Sequence, residues 1–411
     1  MDYTRRLRMM LLALAGLIST VVAFNFAVNP LGAWHHRLVN NIYYRLRRGG
    51  AERVMTPYRL RTTYPDTLLV GTSRILFGMP IEQGYRDGFL NAALSAARPT
   101  EIKQEVHLAL RNPRLKRIIW ALDFFTFDKR LESNPDTSAR LEGDLRLLVL
   151  DNLLSSTALD AGFQLVKRAI SGRQSLSTAA QEPIPWPQDF ICQSFQTQAD
   201  TGLANLDEEG VVLQLVWEAP VYRGTTCCND GMELFRSSVT EIKRAGIQLV
   251  LFLPPMTQYE LEKIRQSDIW PRFQQFKRDL TASSSFWDFT GYNELAHTDS
   301  MFLDVVHMKP DVGMTIMRWL LGMPDSRCRD MQIVVDSALW VDSNNIDQVL
   351  ALQDDRKRVA TRNSNKYERV VARALARQQQ KFDARTSISN GASAKSDVAS
   401  QAAAIEPVTD K

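Results

Sequence analysis

One uncharged apolar run near the N-terminus constrains this chain more than any other feature. Arg5, Arg6 and Arg8 precede Met9–Val28, a stretch of about twenty residues without a charge. In a helix that run is long enough to cross the hydrocarbon core of a bilayer. The first cation beyond it is Arg37, followed by Arg45, Arg47 and Arg48. The bias of positive charge favours a cytoplasmic N-terminus and an exported remainder. Residues 1–28 therefore read as a stub and transmembrane anchor in the inner (cytoplasmic) membrane, with the bulk of the chain on the periplasmic side. A cleaved signal peptide is the competing reading. Its apolar core is ordinarily shorter, and no Ala-x-Ala site stands out before Asn29-Pro30.

The other 383 or so residues have to build a water-soluble body. The 411-residue chain is 45% hydrophobic and 23% charged, which excludes wholesale disorder and a multi-span membrane protein. Lys and Arg total 50 against 46 Asp and Glu, with no dominant basic stripe, so nucleic acid is not an expected partner. The four cysteines lack metal-ligand spacing and the five histidines are scattered. No metal and no cofactor are expected. In an oxidising compartment Cys192 can pair with Cys227 or with Cys228.

Residues 29–64 are mixed and basic and read as a stalk. Beyond them, short apolar runs alternate with helical periodicity. Thr67–Gly71, Phe89–Asn91, Arg117–Leu122, Ile247–Leu253 and Phe286–Phe289 read as strands, the last of these closing the sheet. Helices are expected over Thr100–Arg111 with Thr100 as N-cap, Leu234–Ala245 with Gly246 just past its end, Tyr259–Leu280, and Pro310–Leu321. Near-continuous apolar strands separated by helices indicate an α/β fold with a mostly parallel sheet covered on both faces. Residues 128–231 break the alternation and read as a largely helical insertion, with helical patterns over Leu141–Leu153 and Thr157–Ile170. Residues 323–411 read as a charged, solvated helix followed by a disordered tail from Arg385.

Two segments carry chemistry by type and position. Gly71-Thr72-Ser73-Arg74 follows the first strand, at the carboxyl end where α/β sheets bind ligands. A Ser presented there by a tight turn exposes its hydroxyl, and a backbone N–H beside a helix start can face a developing oxyanion. Asp304-Val305-Val306-His307 lies after the last expected strand. That spacing lets the carboxylate meet the imidazole, fix its tautomer and leave the other ring nitrogen to take a proton from Ser. Candidate catalytic residues are therefore Ser73 as nucleophile, His307 as general base and Asp304 as its orienting partner. Other singled-out residues have plainer readings. Trp34-His35-His36 reads as an interfacial cluster, His107 as a surface position and His297 with Asp299 as a loop. Trp186 between two prolines is a candidate for stacking on a sugar ring.

These residues resemble the motif blocks of the SGNH/GDSL hydrolase superfamily, in particular its membrane-anchored, exported members of the alginate O-acetylation type. Gly71-Thr72-Ser73 stands at the nucleophile block and Asp304-Val305-Val306-His307 matches the terminal Asp-x-x-His block. Asn91 to Ala97 is similar to the second block, with Ala96 or Ala97 in place of the Gly whose N–H serves the oxyanion hole. The third block departs: Trp120-Ala121-Leu122-Asp123 stands where the family has Gly-x-Asn-Asp, and an ionised Asp123 cannot donate a hydrogen bond. The loss of one such donor costs about 3 kcal/mol in comparable sites. Arg74, Asn91, Ala96 and Asp123 are the positions to which the resemblance assigns oxyanion or substrate binding, with Arg74 or a residue of the insertion as a substitute donor; the alternative for Asp123 is a structural role, capping the following turn.

The resemblance covers roughly residues 65–322 and implies a three-layer α/β/α sandwich of flavodoxin-like type. It also implies acyl transfer through a seryl ester: esterase chemistry with water as acceptor, O-acetyltransferase chemistry with a sugar hydroxyl. The implied partners are a cell-envelope polysaccharide or other acylated glycan and a membrane-bound acyltransferase. The altered third block keeps open a second reading, a catalytically degenerate member that binds glycan or scaffolds an export complex.

Overall fold

The computed structural model describes residues 3–28, 52–79, 88–128, 135–170, 202–217, 229–323, 329–363, 365–381 and 383. Several of the positions singled out above lie outside these residues: Trp34-His35-His36, Trp186, all four cysteines, and the tail expected from Arg385.

The chain is a mixed α/β protein built on one six-stranded sheet of order β2-β1-β3-β4-β5-β6. The strands are β1 (Thr67–Val70), β2 (Phe89–Asn91), β3 (Arg117–Ala121), β4 (Gln248–Leu253), β5 (Phe286–Asp288) and β6 (Leu339–Val341). The first five are parallel, in registers such as Leu69 opposite Ile119 and Trp120 opposite Leu251. Only β6 runs antiparallel, pairing Trp287 with Trp340.

Alternation along each strand explains why the runs look uniformly apolar. Leu68, Val70, Ile118, Trp120, Leu251 and Leu253 enter one core, whereas Leu69, Ile119, Ala121 and Phe252 enter another on the opposite face. Both faces are dry, so both sets of alternate positions must be hydrophobic. Burying each large side chain of this kind stabilises the fold by about 1.5–3 kcal/mol.

Helices among the described residues include, in chain order, α1 (Tyr3–Val28), α2 (Glu52–Thr62), α3 (Ser73–Gly78), α4 (Pro99–Ala109), α5 (Pro135–Glu142), α6 (Leu145–Leu154), α7 (Ser156–Ile170), α8 (Glu208–Trp217), α9 (Asn229–Arg244), α10 (Gln258–Gln266), α11 (Trp270–Thr281), α12 (Pro310–Leu320) and α13 (Ile346–Asn363), with further helical segments over Arg329–Ser337 and residues 366–381. Ile102 and Val106 of α4, Phe235 and Val239 of α9 and Phe273 and Phe276 of α11 cover the first face. Ile75 of α3, Val212 and Leu215 of α8 and Val312 and Ile316 of α12 cover the second. Helix α1 is long and apolar enough to cross a membrane, and it is not a core helix, because nearly all of it is exposed.

The structure corrects several expectations. Helix α4 starts at Pro99, one residue before Thr100, and its N-cap is Arg98. Proline is pre-organised for the first helical position, and Glu101 turns back to accept from the Arg98 N–H at 2.9 Å. The single helix expected over Tyr259–Leu280 is two, α10 and α11, broken where Asp268 takes a left-handed φ of 57°. Phe286–Asp288 is not the last strand, since β6 extends the sheet. The stalk reading fails for α2, whose Met55 and Leu60 are buried. Nor is the region beyond 323 merely solvated. Ile346, Val349 and Leu350 of α13 enter the first core, and Tyr367, Val370 and Val371 from the helical stretch 366–381 enter the second. A buried polar knot fastens α13 to the sheet: Lys277 Nζ donates to Asp288 at 2.7 Å and to Gln353 Oε1 at 2.9 Å.

Candidate active site

In the parallel part of the sheet the chain leaves β1 and turns one way to β2, the other way to β3. Ligands in open α/β sheets bind at the carboxyl ends of strands flanking such a reversal. Ser73 follows β1 directly, and Asp123 follows β3.

The turn that delivers Ser73 depends on Gly71. Its φ is 151°, and a Cβ there would lie 2.7 Å from Ile75 Cδ1 and 2.9 Å from the Ala121 carbonyl oxygen. No other residue fits between β3 and the start of α3. Thr72 then caps α3, and Ser73 is its first residue, with its N–H among the donors a helix start leaves unpaired.

From the far end of the domain comes the loop 303–307, which meets Ser73. The Ser73 hydroxyl donates to His307 Nε2 at 2.9 Å, and the His307 Nδ1–H donates to Asp304 Oδ2 at 2.8 Å. These roles follow from the neutral tautomer that satisfies both contacts. Asp304 Oδ1 also accepts from the Val306 and His307 N–H groups, each at 2.8 Å. Burial pushes the Asp304 carboxyl up, but the hydrogen bond and charge of His307 and the two backbone donors outweigh it, holding the group below the ordinary aspartate range. The carboxylate is thus ionised at neutral pH, as the orienter of an imidazole must be. Phe77 closes one side of the ring, edge to face at 5.1 Å.

The loop is pinned from three other elements and closed at its own base. Gln214 Oε1 of α8 accepts from Val305 N–H at 3.2 Å, and the Thr257 hydroxyl donates to the Val305 carbonyl at 2.8 Å. Arg74 Nη1 donates to the Val306 carbonyl at 2.8 Å. Phe302 and Met308 close the loop at its base as an isolated antiparallel bridge.

Arg74 is the hub of this arrangement. Only 1% exposed, it also bonds Asp123 Oδ2 through Nε at 2.8 Å and Glu260 through Nη2. Asp123 Oδ2 accepts the Thr72 hydroxyl as well, at 2.9 Å. This corrects the role the resemblance assigned to Arg74. Buried with its fork directed at two carboxylates and a carbonyl, it positions the Ser73 turn and the His307 loop rather than presenting a donor to a ligand. Asp123 is likewise internal, an acceptor for Thr72 and Arg74.

Asn91 departs from a binding role in the same way. Its Nδ2 donates to the carbonyls of Met79 at 2.8 Å and Ile75 at 3.1 Å, tying down the C-terminal turn of α3. Ala96 takes a left-handed φ of 51°, a backbone state that favours Gly. The structure thus brings Ser73, Asp304 and His307 together, and places Arg74, Asn91 and Asp123 beneath them as supports.

Gln214, Thr257 and Glu260 escaped the sequence reading. Gln214 lies in the insertion and the other two sit in and beside a helix cap. Only the Thr-x-x-Glu spacing of a capping box hinted at them, and that spacing points to a helix start rather than to a site. His297 is structural: its Nδ1 contacts the Asn293 carbonyl at 2.6 Å and its ring meets Tyr367. His107 is a surface residue facing Glu241 at 2.8 Å.

No family model, curated protein or solved structure matches the chain.

Proposed function

We propose that this chain is a membrane-tethered serine acyl hydrolase or O-acyltransferase of SGNH type, acting outside the cytoplasm on acyl groups of a cell-envelope polysaccharide. The observation that carries the reading is the continuous hydrogen-bonded line from Ser73 through His307 to Asp304. His307 takes the Ser73 proton as Oγ attacks the acyl carbonyl, Asp304 stabilises the imidazolium, and the proton then passes to the leaving alkoxide. The seryl ester is resolved by water in a hydrolase or by a sugar hydroxyl in a transferase. The strand order 2-1-3-4-5 supports a flavodoxin-like three-layer sandwich. The glycan substrate and the membrane-bound acyltransferase partner come from the family resemblance of the motif blocks together with the apolar α1.

The test is turnover of p-nitrophenyl acetate and of an O-acetylated polysaccharide by the full chain in detergent or vesicles. Ser73→Ala is expected to abolish both without lowering Tm, since among the described residues Ser73 Oγ bonds only to His307. Unchanged turnover in that variant rejects the reading.

Asp123 favours a second reading, a degenerate member that binds glycan without turning it over. An acceptor stands where the family supplies an oxyanion donor, and its Oδ2 is already engaged. Saturable glycan binding with no turnover in the unmodified chain would select it.

A further inference from the structure

Helix α1 is bare for most of its length and covered only near its end. Residues 3–20 are exposed throughout, whereas Asn25 is buried and Val21, Val22, Phe24 and Val28 are partly so. The cover is the α6–α7 hairpin. Asn25 Nδ2 donates to the Leu153 carbonyl at 2.9 Å, and Phe24 stacks on Phe163 with ring centroids 5.0 Å apart. The hairpin thus grips the last eight residues, about 12 Å of helix.

That location has a consequence for depth. Arg5, Arg6 and Arg8 cannot lie in hydrocarbon, so the membrane core begins at Met9. A core of about 30 Å then needs all of Met9–Val28. The residues held by the hairpin are the terminal two-fifths of the one candidate span among the described residues, so the hairpin reaches bilayer depth with them.

Its outer surface is built for such a place. Leu147, Leu150 and Leu154 recur at helical spacing along α6 and are 64%, 52% and 53% exposed. Two charges flank this stripe: Asp151, which is paired with Arg140, and the exposed Arg146, whose long side chain can carry its charge out to the headgroups. On α7, Asp160, Gln164 and Lys167 are exposed, a polar face that suits headgroups rather than acyl chains. One apolar and one polar helix face, side by side, match the boundary between the two. The hairpin is also fixed to the body: Arg61 of α2 donates to the carbonyls of Leu141 at 2.6 Å and Gly143 at 2.9 Å, just ahead of α6.

We infer that the α6–α7 hairpin is a second membrane contact, lying in the lipid interface at the C-terminal end of α1 with Leu147, Leu150 and Leu154 against acyl chains. This rests on α1 spanning the membrane, as in the proposed function, but not on the acyl chemistry. A rigid second contact holds the catalytic body at a fixed height and tilt, where a lone span followed by a linker would let it swing.

The experiment places one environment-sensitive fluorescent amino acid in the full chain, at position 14, 147, 150 or 340 in turn, in phosphatidylcholine vesicles with and without brominated acyl chains. Position 14 reports on the span, and the exposed Trp340 site is the aqueous control. The inference expects blue-shifted emission and several-fold stronger bromolipid quenching at 147 and 150 than at 340. Strong quenching at 14 with none at 147 or 150 overturns it while leaving the anchor intact. Absence of quenching at all four overturns both. Blue-shifted emission at 147 and 150 without bromolipid quenching assigns the stripe to a protein partner and also overturns it.

Discussion

Gly313 in α12 lies against Gly78 in α3 so closely that a Cβ on Gly313 would sit 1.8 Å from the Gly78 carbonyl oxygen. Helix α3 begins with Ser73, and α12 begins three residues after His307. The near-contact of the two backbones therefore brings the first and last parts of the domain within one hydrogen bond of each other. The approach is tight from the other side as well, since a Cβ on Gly78 would meet Met308 Cγ at 2.6 Å.

Gly313→Ala is expected to wedge α12 from α3. Overpacking of a tight interior contact costs about 1–3 kcal/mol or more, and a displacement near 1 Å costs about a hundredfold in rate. Thermal melting and ester turnover check this together. Both should fall, and turnover should fall further than the loss of folded protein explains. An unchanged Tm would contradict the packing.

Arg74→Lys tests the hub. Lysine keeps the charge but lacks the fork that reaches Asp123, Glu260 and the Val306 carbonyl at once. Two carboxylates, each essentially buried, would compete for one ammonium. Breaking a buried pair costs about 3–5 kcal/mol. Tm should drop, and kcat should fall with little change in KM, because the lost contacts hold the His307 loop rather than the substrate. A rise in KM alone would point instead to a substrate-binding arginine.

Glu105 makes the stability depend on pH. It is fully buried in α4, and neither carboxylate oxygen has a hydrogen-bond partner among the described residues. Burial, reinforced by the charge of Glu101 and opposed by Arg53, raises its carboxyl well above the ordinary value of 4.5. The folded chain then holds a proton that the unfolded chain releases, so stability should decline as pH rises from about 4.5 through the raised value. Glu105→Gln mimics the protonated form and should be more stable than the parent at pH 8, with the difference shrinking toward pH 4. Melting curves across that range measure it. A glutamine variant less stable than the parent at pH 8 would contradict the assignment.

Elements that announce themselves through local physics were legible in the sequence. The parallel strands were, because both faces are dry and Leu68, Leu69 and Val70 must all be apolar. Gly71 and the spacing of Asp304 and His307 were, because a tight turn and a carboxylate–imidazole contact leave short-range marks. What depends on distant partners was not. Ile346, Val349 and Leu350 are spread among charges, and only packing against β6 and α11 makes them core. The charge of Arg74 read as a donor for a ligand, since nothing local to it reveals Asp123 at 49 residues' separation or Glu260 at 186. Asn91 looked like a binding residue for the same reason, although its partners are the carbonyls at the end of α3.

The most direct test of the relay is covalent labelling of the full chain with a fluorophosphonate, read by mass spectrometry of the Ser73 peptide in the parent and in His307→Ala and Asp304→Asn. The relay predicts a single adduct on Ser73, lost with His307→Ala and slowed by about 10⁴-fold with Asp304→Asn, where the imidazole is left in the wrong tautomer. No adduct on Ser73 in the parent, or equal labelling in all three proteins, would contradict it.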